Sequence, residues 1–323
     1  MAQRVVVSAS AYFSHGPGER GPLAGAGVEV VRRPAGMDLA AALRGAVGVI
    51  AGSEPYTEAV FAACPDLRVV ARWGVGYDAV DLAAATRHRV VVATAVGSLE
   101  ESVADFAMGL ILASARRIPE AADIMHRGGW ARPMGRDVHG ACLGIVGIGR
   151  IGTRVARRAK AFGMRILAYD PGVEPAEIAA RGAEPAELSQ LLRQADFVTL
   201  HANLNPSSHH VIGVEQLALM RPDACLINTG RGPLVDTAAL VDALETGRIG
   251  GAALDVFEGE PLPAEHALRQ SPRCILTPHM ASASREAALA MSVAAAQAVA
   301  DVLAGRRPAS VVNPEVYGEG SGS

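Results

Sequence analysis

The chain has 323 residues and a formal net charge of −3; 50% of its residues are hydrophobic and 20% are charged. This is the composition of a globular protein with enough length for two domains of ordinary size. The lack of a basic excess argues against a nucleic-acid partner. No apolar run approaches about eighteen residues, which argues against a membrane span.

Cysteine use and the N-terminal residues indicate an intracellular setting. Cys64, Cys142, Cys225 and Cys274 are far apart, are mostly flanked by apolar residues, and form no CxxC pair. We therefore expect reduced thiols in a cytoplasmic protein rather than a zinc ribbon or a redox motif. The opening MAQRVVVSAS predicts a first strand and not a signal peptide. The closing GEGSGS predicts a flexible polar tail.

The first part of the chain alternates β-rich runs with segments of helical spacing. The β-rich runs are VVVSAS (5–10), VEVV (28–31), VGVIAGS (47–53), LRVVARWG (67–74) and VVVATA (90–95). Strands separated by helices favour a parallel sheet that is covered on both faces. At SLEE the pattern changes, because Ser98 and Glu101 have the spacing of a capping box. We predict that a long helix here opens a second domain.

A second α/β series follows this predicted helix. Its β-rich runs lie in CLGIVGIGRIG (142–152), RILAYD (165–170), DFVTLH (196–201), ACLINTG (224–230), GAALDVF (251–257) and CILTPH (274–279). An Ala-rich helix then runs from about Arg285 to Ala304, with Gly305 as its C-cap signal. The sequence therefore predicts an α/β fold of two parallel-sheet domains, Rossmann-like or flavodoxin-like, with a cleft between them.

The segment GIGRIG places Gly147, Gly149 and Gly152 in a G-x-G-x-x-G pattern. Its context predicts a dinucleotide site, because the run LGIV precedes it and a helix with Ile151 and Val155 on its apolar face follows. In such turns the first glycine permits the tight bend, and the second lets the backbone approach a pyrophosphate. The third lets helix and strand pack closely. The phosphates lie at the helix N-terminus.

Asp170, which ends the run RILAYD, indicates which dinucleotide binds. A carboxylate at this strand end can accept hydrogen bonds from a ribose diol and would repel a 2′-phosphate. Pro171 and Gly172 follow it, so no arginine stands directly after the acid to hold that phosphate. The sequence therefore favours NAD over NADP.

Polar side chains follow three of the later β-rich runs. Arg231, Glu260 and His279 come just after LINTG, GAALDVF and CILTP. Because ligands bind outside the carboxyl ends of parallel strands, we expect these side chains to converge. Carbonyl reduction requires such a set. Arginine can grip a carboxylate and polarise the carbonyl, histidine exchanges a proton near neutral pH, and glutamate favours and orients the protonated ring.

These segments resemble the D-isomer-specific 2-hydroxyacid dehydrogenases, the family that includes phosphoglycerate dehydrogenase. The matching pieces, spread through almost the whole chain, are RWGVGYDAVD (72–81), SVADFAMGLIL (102–112), LGIVGIGRIG (143–152), NTGRGPLVD (228–236), DVFEGEP (255–261), TPHMAS (277–282) and VVNPEV (311–316). The resemblance implies an NAD-dependent oxidoreductase that interconverts a 2-keto acid and a D-2-hydroxy acid. Its catalytic residues would be Arg231, Glu260 and His279.

The resemblance also implies the domain organisation and further contacts. Residues 1–97 and 285–323 would form a discontinuous substrate domain, and residues 98–284 an NAD-binding domain through which the protein forms a homodimer. Backbone amides at Val75 and Gly76 would hold the carboxylate of a small anionic substrate. Further cofactor contacts are implied for Arg150, Ile151, His201, Ser208, Thr229, Gly230, Asp255 and Ala281.

One segment departs from the family pattern. After the third strand of the cofactor domain the family often has His-x-Pro-Leu-Thr, where this chain reads HANLNPSSHH. Asn203 and Asn205 replace the usual Pro and Thr, which affects details of the adenosine and phosphate contacts rather than cofactor use. His209 and His210 have no carboxylate or cysteine cluster with them in the sequence, so we predict solvated rings and no metal site.

Two arginines bear on the identity of the substrate. Arg72 and Arg132 lie where phosphoglycerate dehydrogenases carry phosphate-binding arginines, although Arg72 can also serve as a support for its loop. Against phosphate, GSEPYT (52–57) offers no arginine, and Glu54 would repel an anion. We therefore expect a general small 2-hydroxy acid ahead of phosphoglycerate. A formate- or phosphite-type dehydrogenase and a non-catalytic, NAD-sensing corepressor remain open alternatives.

Overall fold

The structure, a computed structural model, describes residues 2–18 and 21–318. Within these residues the chain forms two compact units. One comprises the chain up to Leu99 together with the residues from Ala283 onward, and the other runs from Glu100 to Ser282. The resemblance implied boundaries at residues 98 and 284, close to these positions. The predicted polar tail GEGSGS lies, after Gly318, outside the described residues.

Strands and helices alternate in both units. The strands are β1 (Gln3–Val7), β2 (Val28–Arg32), β3 (Ala46–Ala51), β4 (Val69–Arg72), β5 (Val91–Ala93), β6 (Cys142–Val146), β7 (Arg165–Tyr169), β8 (Glu184–Pro185), β9 (Phe197–Leu200), β10 (Cys225–Asn228), β11 (Gly251–Leu254) and β12 (Cys274–Leu276). The helices are α1 (Tyr12–His15), α2 (Leu39–Leu43), α3 (Glu58–Ala63), α4 (Leu82–Arg87), α5 (Glu100–Ala115), α6 (Ile118–His126), α7 (Arg150–Ala161), α8 (Pro175–Ala180), α9 (Leu188–Gln194), α10 (Val214–Leu219), α11 (Thr237–Glu245), α12 (Ala267–Gln270) and α13 (Arg285–Leu303). Each predicted β-rich run overlaps a strand, and β8 is a strand that no such run predicts.

The first unit is built on a parallel sheet with the strand order β2-β1-β3-β4-β5, which is the flavodoxin-like order. Successive strand residues point to opposite faces. Val5 of β1 packs in one core cluster with Val299 of α13, while Val6 packs in another with Phe61 of α3. Both faces are therefore buried, which explains why the strand runs are continuously apolar.

Helix α13 covers one face of this sheet. Oγ of Ser284 caps the helix by accepting a hydrogen bond from the backbone N–H of Ala287 at 3.0 Å. Gly305, with a φ of +75°, follows its last turn, as the C-cap signal predicted. Of the described helices, α13 alone is long and apolar enough to cross a membrane, and half of that stretch is buried inside the protein. Its packing against β3 and β4 is that of a core helix.

The second unit is built on a seven-stranded parallel sheet with the order β12-β11-β10-β9-β6-β7-β8. The chain builds outward from β6 to β8, returns to β9, and builds outward to β12 on the other side. The order reverses between β6 and β9, and open α/β sheets bind ligands at such a switch point. The predicted fold class, two parallel-sheet α/β domains, is confirmed.

The start of α5 differs from the predicted capping box. The helix begins at Glu100, so Ser98 precedes the N-cap position, and its N–H donates to an earlier backbone carbonyl in the same turn. The carboxylate of Glu101 instead accepts a hydrogen bond from Arg158 of α7 at 2.6 Å. The prediction was wrong because a charged guanidinium on a neighbouring helix competes better for a carboxylate than a backbone N–H does.

Candidate active site

A histidine and a glutamate form a hydrogen-bonded pair at the carboxyl edge of the seven-stranded sheet. His279 follows β12, and Glu260 lies in the loop after β11. Nδ1 of His279 lies 2.7 Å from Oε2 of Glu260, while Oε1 of Glu260 accepts from the backbone N–H of Phe257 at 3.0 Å. The two side chains are 49% and 36% exposed. The pair is therefore anchored on one side and open to a ligand on the other.

The two members of this pair shift each other's protonation. The hydrogen bond to Glu260 raises the pKa of His279 above its usual value, against burial and the charge of Arg231, which lower it. Burial raises the pKa of Glu260, but hydrogen bonds from His279 and Phe257 and the charge of Arg231 outweigh it and hold that pKa below its usual value. An ionised Glu260 therefore accepts from Nδ1–H, which leaves Nε2 of His279 to exchange a proton with a substrate.

Arg231 lies beside this pair, in the loop after β10. Its charge affects the pKa of both His279 and Glu260. The loop is held by Asn228, whose Nδ2 donates to the carbonyl of Arg231 at 2.8 Å and whose Oδ1 accepts from the N–H of Gly230 at 3.0 Å. Asn228 is 1% exposed. It was not predicted as a site residue from the sequence, although a polar residue at the end of an apolar strand could have indicated its role.

Asp255 follows β11 and stabilises the turn that contains His279. Its carboxylate accepts hydrogen bonds from Oγ1 of Thr277 at 2.6 Å and from the backbone N–H of Ala281 at 2.7 Å. Its carbonyl accepts from the N–H of His279 at 2.8 Å. These bonds hold His279 at a φ of +51°, a conformation uncommon outside glycine. The structure thus gives Asp255 a positioning role, and its contact with the cofactor stays a prediction.

The glycine turn between β6 and α7 has the geometry that its motif predicts. Gly147 has a φ of +91°, and a Cβ there would lie 2.5 Å from the backbone nitrogen of Ala202. A Cβ on Gly152 would lie 2.2 Å from the carbonyl oxygen of Gly147. A Cβ on Gly149, by contrast, would meet nothing within 4 Å. Packing within the protein requires the first and third glycines, while the second borders open space at the N-terminus of α7.

Asp170 braces this turn from the end of β7. Its Oδ2 accepts a hydrogen bond from the N–H of Ile148 at 3.0 Å, and its Oδ1 accepts from the N–H of Gly172 at 3.0 Å. Each carboxylate oxygen has a second lone pair, so the acid can still accept from a ribose diol. The same residue therefore shapes the phosphate turn and carries the negative charge that opposes a 2′-phosphate.

Two polar atoms at the ends of β9 and β10 are buried without a hydrogen-bond partner: Nδ1 of His201 and Oγ1 of Thr229. Buried polar atoms are normally paired, so both are available to a ligand. Burial lowers the pKa of His201 to about 4, and its Nε2 lies 3.0 Å from Oγ1 of Thr199. A neutral imidazole, the glycine turn and Asp170 fit a dinucleotide at this edge of the sheet.

The other implied cofactor residues also lie at this edge. Arg150 and Ile151 open α7, Gly230 follows Thr229, and Ala281 is tied to Asp255. Ser208 is 9% exposed; its Oγ accepts from the N–H of Asn205 at 2.9 Å and donates to the carbonyl of Asn203 at 2.6 Å. Asn203 and Asn205, the departures from the family pattern, thus build a turn with Ser208. A contact between Ser208 and the cofactor stays a prediction.

In the first unit, Val75 and Gly76 lie in the loop after β4. Their backbone N–H groups donate to no atom among the described residues, as a carboxylate-binding loop requires. Arg72 is 9% exposed; its Nε donates to the carbonyl of Gly76 at 2.9 Å and its Nη1 to the carbonyl of Ala51 at 3.1 Å. Arg72 therefore supports the loop, and direct contact between Arg72 and substrate stays a prediction.

Glu54, the acidic residue of GSEPYT (52–57), has a positively charged partner. Oε1 of Glu54 lies 2.9 Å from Nη1 of Arg33, and Oε2 accepts from Oγ of Ser8 at 3.0 Å. Glu54 would therefore repel an anion less than its sequence position suggested, because Arg33 offsets its charge. The same contact engages the guanidinium of Arg33. Arg132, the other phosphate candidate, is exposed in the loop after α6 of the second unit.

Comparison with known proteins identifies this arrangement. Residues 108–281 match the family model for the D-isomer specific 2-hydroxyacid dehydrogenase, NAD binding domain. A glyoxylate reductase from Korarchaeum cryptofilum is 45% identical over 270 residues, which cover 82% of this chain and 81% of that protein. A D-3-phosphoglycerate dehydrogenase from Methanocaldococcus jannaschii is 42% identical over 269 residues, 82% of this chain but 51% of that protein.

The structural comparison agrees with the sequence comparison. The crystal structure of the TT0316 protein from Thermus thermophilus superposes with a TM-score of 0.86 at 37% sequence identity, and covers 96% of this chain and 100% of that one. The family match spans the glycine turn, Asp170, Arg231, Glu260 and His279. The cofactor is therefore NAD, and the chain belongs to the D-isomer specific 2-hydroxyacid dehydrogenase family.

Proposed function

We propose that this protein reduces a small, unphosphorylated 2-keto acid of the glyoxylate type to a 2-hydroxy acid, of D configuration where the carbon is chiral, and catalyses the reverse reaction. Arg231, Glu260 and His279 are its catalytic residues. The observation that carries the proposal is the 2.7 Å contact between His279 and Glu260. It leaves Nε2 of the imidazole open as a proton donor beside a fixed cation.

His279 supplies the proton that the substrate oxygen needs in the reduction. The raised pKa of His279 keeps more of the protonated form near neutral pH, and ionised Glu260 stabilises that form and fixes the ring through Nδ1. In the oxidation the same Nε2, unprotonated, accepts the hydroxyl proton. Glu260 is a carboxylate throughout and does not itself take the proton.

Arg231 binds the substrate carboxylate and stabilises charge on the reacting oxygen. A guanidinium remains charged at any pH of interest and offers a planar fork of donors to a carboxylate. Asn228 holds the backbone of the Arg231 loop, and Nη1 of Arg231 donates to the carbonyl of Gly230 at 2.8 Å. The cation is therefore oriented before substrate arrives, as electrostatic catalysis requires. In the first unit, the N–H groups of Val75 and Gly76 can donate to a carboxylate.

The glycine turn, Asp170, His201 and Thr229 hold the cofactor. The turn at Gly149 and the N-terminus of α7 offer N–H groups to the pyrophosphate, and Asp170 accepts from the ribose diol. The partnerless atoms of His201 and Thr229 offer further hydrogen bonds. When bound, the nicotinamide supplies or takes the hydride in the redox step.

One observation favours a substrate without a phosphate group. Arg72 donates to the carbonyls of Gly76 and Ala51, and Arg33 donates to Glu54, so neither offers an unengaged guanidinium fork.

We propose further that the protein is a homodimer that associates through its second unit. Helix α6 has no buried residue. The helix and the loop after it expose large apolar side chains, namely Ile118 (53%), Met125 (53%), Trp130 (76%) and Met134 (85%). Exposed apolar surface of this kind is typical of an interface between proteins. Light scattering on the purified protein should give a molar mass twice that of one chain. The Trp130→Ser, Met134→Ser double variant should give the molar mass of one chain.

We propose a cytoplasmic location. All four cysteines are free thiols, and Cys64, Cys142 and Cys225 are buried, which suits a reducing compartment. Fractionation of cells that produce the native protein, followed by immunodetection, tests this. Recovery in the membrane or the extracellular fraction would contradict it.

The experiment that tests the function follows the consumption of NADH with glyoxylate, hydroxypyruvate, pyruvate, a bulkier keto acid and phosphohydroxypyruvate. We expect turnover of the small keto acids, a lower kcat/KM for phosphohydroxypyruvate than for hydroxypyruvate, and D-lactate from pyruvate. A preference for phosphohydroxypyruvate would favour phosphoglycerate dehydrogenase. Tight binding of NADH without turnover of any keto acid would favour a non-catalytic, NAD-sensing corepressor.

A further inference from the structure

His209, His210 and Glu258 bring three metal-ligand groups together on the second unit. Each offers one ligand atom, and these atoms all lie within 4.8 Å of one another. The histidines belong to the loop after β9, and Glu258 belongs to the loop after β11. His210 and Glu258 are 48 positions apart in the sequence. The sequence therefore shows no carboxylate near the two histidines, and only the fold brings Glu258 to them.

The protein holds two of these three side chains in place. Nε2 of His210 lies 2.7 Å from Oε1 of Glu258, and Oε2 of Glu258 accepts from the backbone N–H of Thr237 at 3.0 Å. The backbone N–H of His210 donates to the carbonyl of Pro233 at 2.8 Å. A hydrogen bond that orients a ligand side chain from outside raises the affinity of a metal site, and the bond from Thr237 to Glu258 does so before any ion binds.

The third side chain, His209, is already close to the other two. Its ring stacks on that of His210, with centroids 4.0 Å apart and 28° between the planes. His209 is exposed, so rotation about its side-chain bonds can turn a ring nitrogen toward Glu258 without disturbing the fold. Solvent on the open side can supply a fourth ligand, as a tetrahedral site needs.

The three side chains form a donor set that favours one class of metal ion. Two imidazole nitrogens and one carboxylate oxygen form a donor set that suits Zn²⁺ and its neighbours among the divalent transition metals, and does not suit Mg²⁺ or Ca²⁺.

We propose that His209, His210 and Glu258 form a surface binding site for a divalent cation of the Zn²⁺ class. The ion displaces the proton of the His210–Glu258 hydrogen bond, which is released to solvent. The two ligand atoms move apart to accept the ion, which joins the loop after β9 to the loop after β11. That second loop also carries Glu260, two residues beyond Glu258. The site is separate from the catalytic pair, and the inference does not depend on the proposed substrate.

The test is a titration of the tag-free protein with Zn²⁺ in competition with a chromophoric chelator. We expect one Zn²⁺ per chain, and a loss of affinity of roughly tenfold or more in each of His209→Ala, His210→Asn and Glu258→Gln. Asparagine is chosen at position 210 because the backbone φ is +52°, which asparagine tolerates. Zn²⁺ should also raise the Tm of the wild type, and raise it less in Glu258→Gln.

Two control variants locate the ion. His279→Ala removes the histidine that contacts Glu260, and His88→Ala removes the histidine that contacts Glu58. Both variants should bind Zn²⁺ as the wild type does. The proposal is overturned if the wild type shows no stoichiometric binding, if the three cluster variants retain wild-type affinity, or if affinity is lost in a control instead. Far-UV circular dichroism verifies that each variant is folded.

Discussion

The carboxylate of Asp255 lies 2.7 Å from the backbone nitrogen of Ala281, and this contact closes the turn that carries His279. Asp255 is completely buried, and Thr277 and Met280 donate to the same carboxylate at 2.6 and 2.9 Å. Hydrogen bonds to an ionised acceptor are stronger than those between neutral groups. One acid just after β11 thus positions His279, which lies just after β12.

Replacing Asp255 by Asn should weaken this turn. One amide oxygen cannot satisfy three donors, and its NH2 group faces an N–H, so we expect the free energy of unfolding to fall by about 1–3 kcal/mol. The kcat should fall as His279 loses its position. Chemical denaturation and steady-state kinetics measure these effects. If kcat were unchanged while the Kd for NADH rose strongly, Asp255 would be a cofactor contact and not a positioning residue.

Removing the charge of Glu260 should move the pH dependence of the reaction. Keto acid reduction needs protonated His279, so kcat/KM falls as the pH rises through the pKa of that histidine. Glu260 raises the pKa of His279, and in Glu260→Gln this pKa must therefore fall. We expect the alkaline decline of kcat/KM to begin at a lower pH than in the wild type. An alkaline limb that does not move would separate Glu260 from proton transfer.

The glycine turn offers a matched pair of alanine substitutions. Gly152→Ala places a Cβ 2.2 Å from the carbonyl oxygen of Gly147, so we expect a loss of about 1–3 kcal/mol of stability, as in other overpacked sites. Gly149→Ala meets no protein atom within 4 Å and should leave the Tm unchanged while it weakens NADH binding. Thermal unfolding without cofactor and NADH fluorescence titration distinguish the two. Equal NADH affinity in Gly149→Ala would place the pyrophosphate elsewhere.

Asp170→Asn should relax the choice between cofactors. The amide oxygen can still accept from the N–H of Ile148, a contact of 3.0 Å in the wild type, so the turn should survive. The negative charge that repels a 2′-phosphate is lost. We expect the ratio of kcat/KM for NADPH to that for NADH to rise by roughly tenfold, which corresponds to about 1.4 kcal/mol. An unchanged ratio would mean that another group excludes the phosphate.

Arg72→Lys distinguishes support of the loop from recognition of a phosphate. Lysine keeps the charge but cannot reproduce the forked contacts with the carbonyls of Gly76 and Ala51. We expect kcat/KM to fall by a similar factor for hydroxypyruvate and phosphohydroxypyruvate, because the loop of Val75 and Gly76 is weakened and the two substrates differ only in the phosphate group. A loss confined to phosphohydroxypyruvate would instead assign Arg72 to the phosphate.

The sequence was sufficient where one physical signal acts over a short stretch. Apolar runs bounded by glycine and polar residues predicted β1 and β6, and the glycine turn predicted its own geometry at Gly147 and Gly152. β8, by contrast, has no apolar run to reveal it. The capping box at Ser98 failed because Arg158, far along the chain, takes the carboxylate of Glu101.

Contacts between distant segments of the chain required the structure. The residue types after the strands suggested the pairing of His279 with Glu260, but nothing in the spacing gives the 2.7 Å contact. Asn228 holds the loop of Arg231, yet a buried asparagine at a strand end has several uses that sequence does not separate. Glu258 reaches His210 only because β9, β10 and β11 are neighbours in the parallel sheet.

The central claim is that His279 transfers the proton, and one variant tests it most directly. His279→Gln removes the titrating ring and retains a polar side chain. With a small keto acid that the wild type reduces, we predict that kcat falls by about 100-fold or more, while the Kd for NADH stays within about twofold of that of the wild type. A His279→Gln protein that binds NADH normally and retains most of the wild-type kcat would contradict the account.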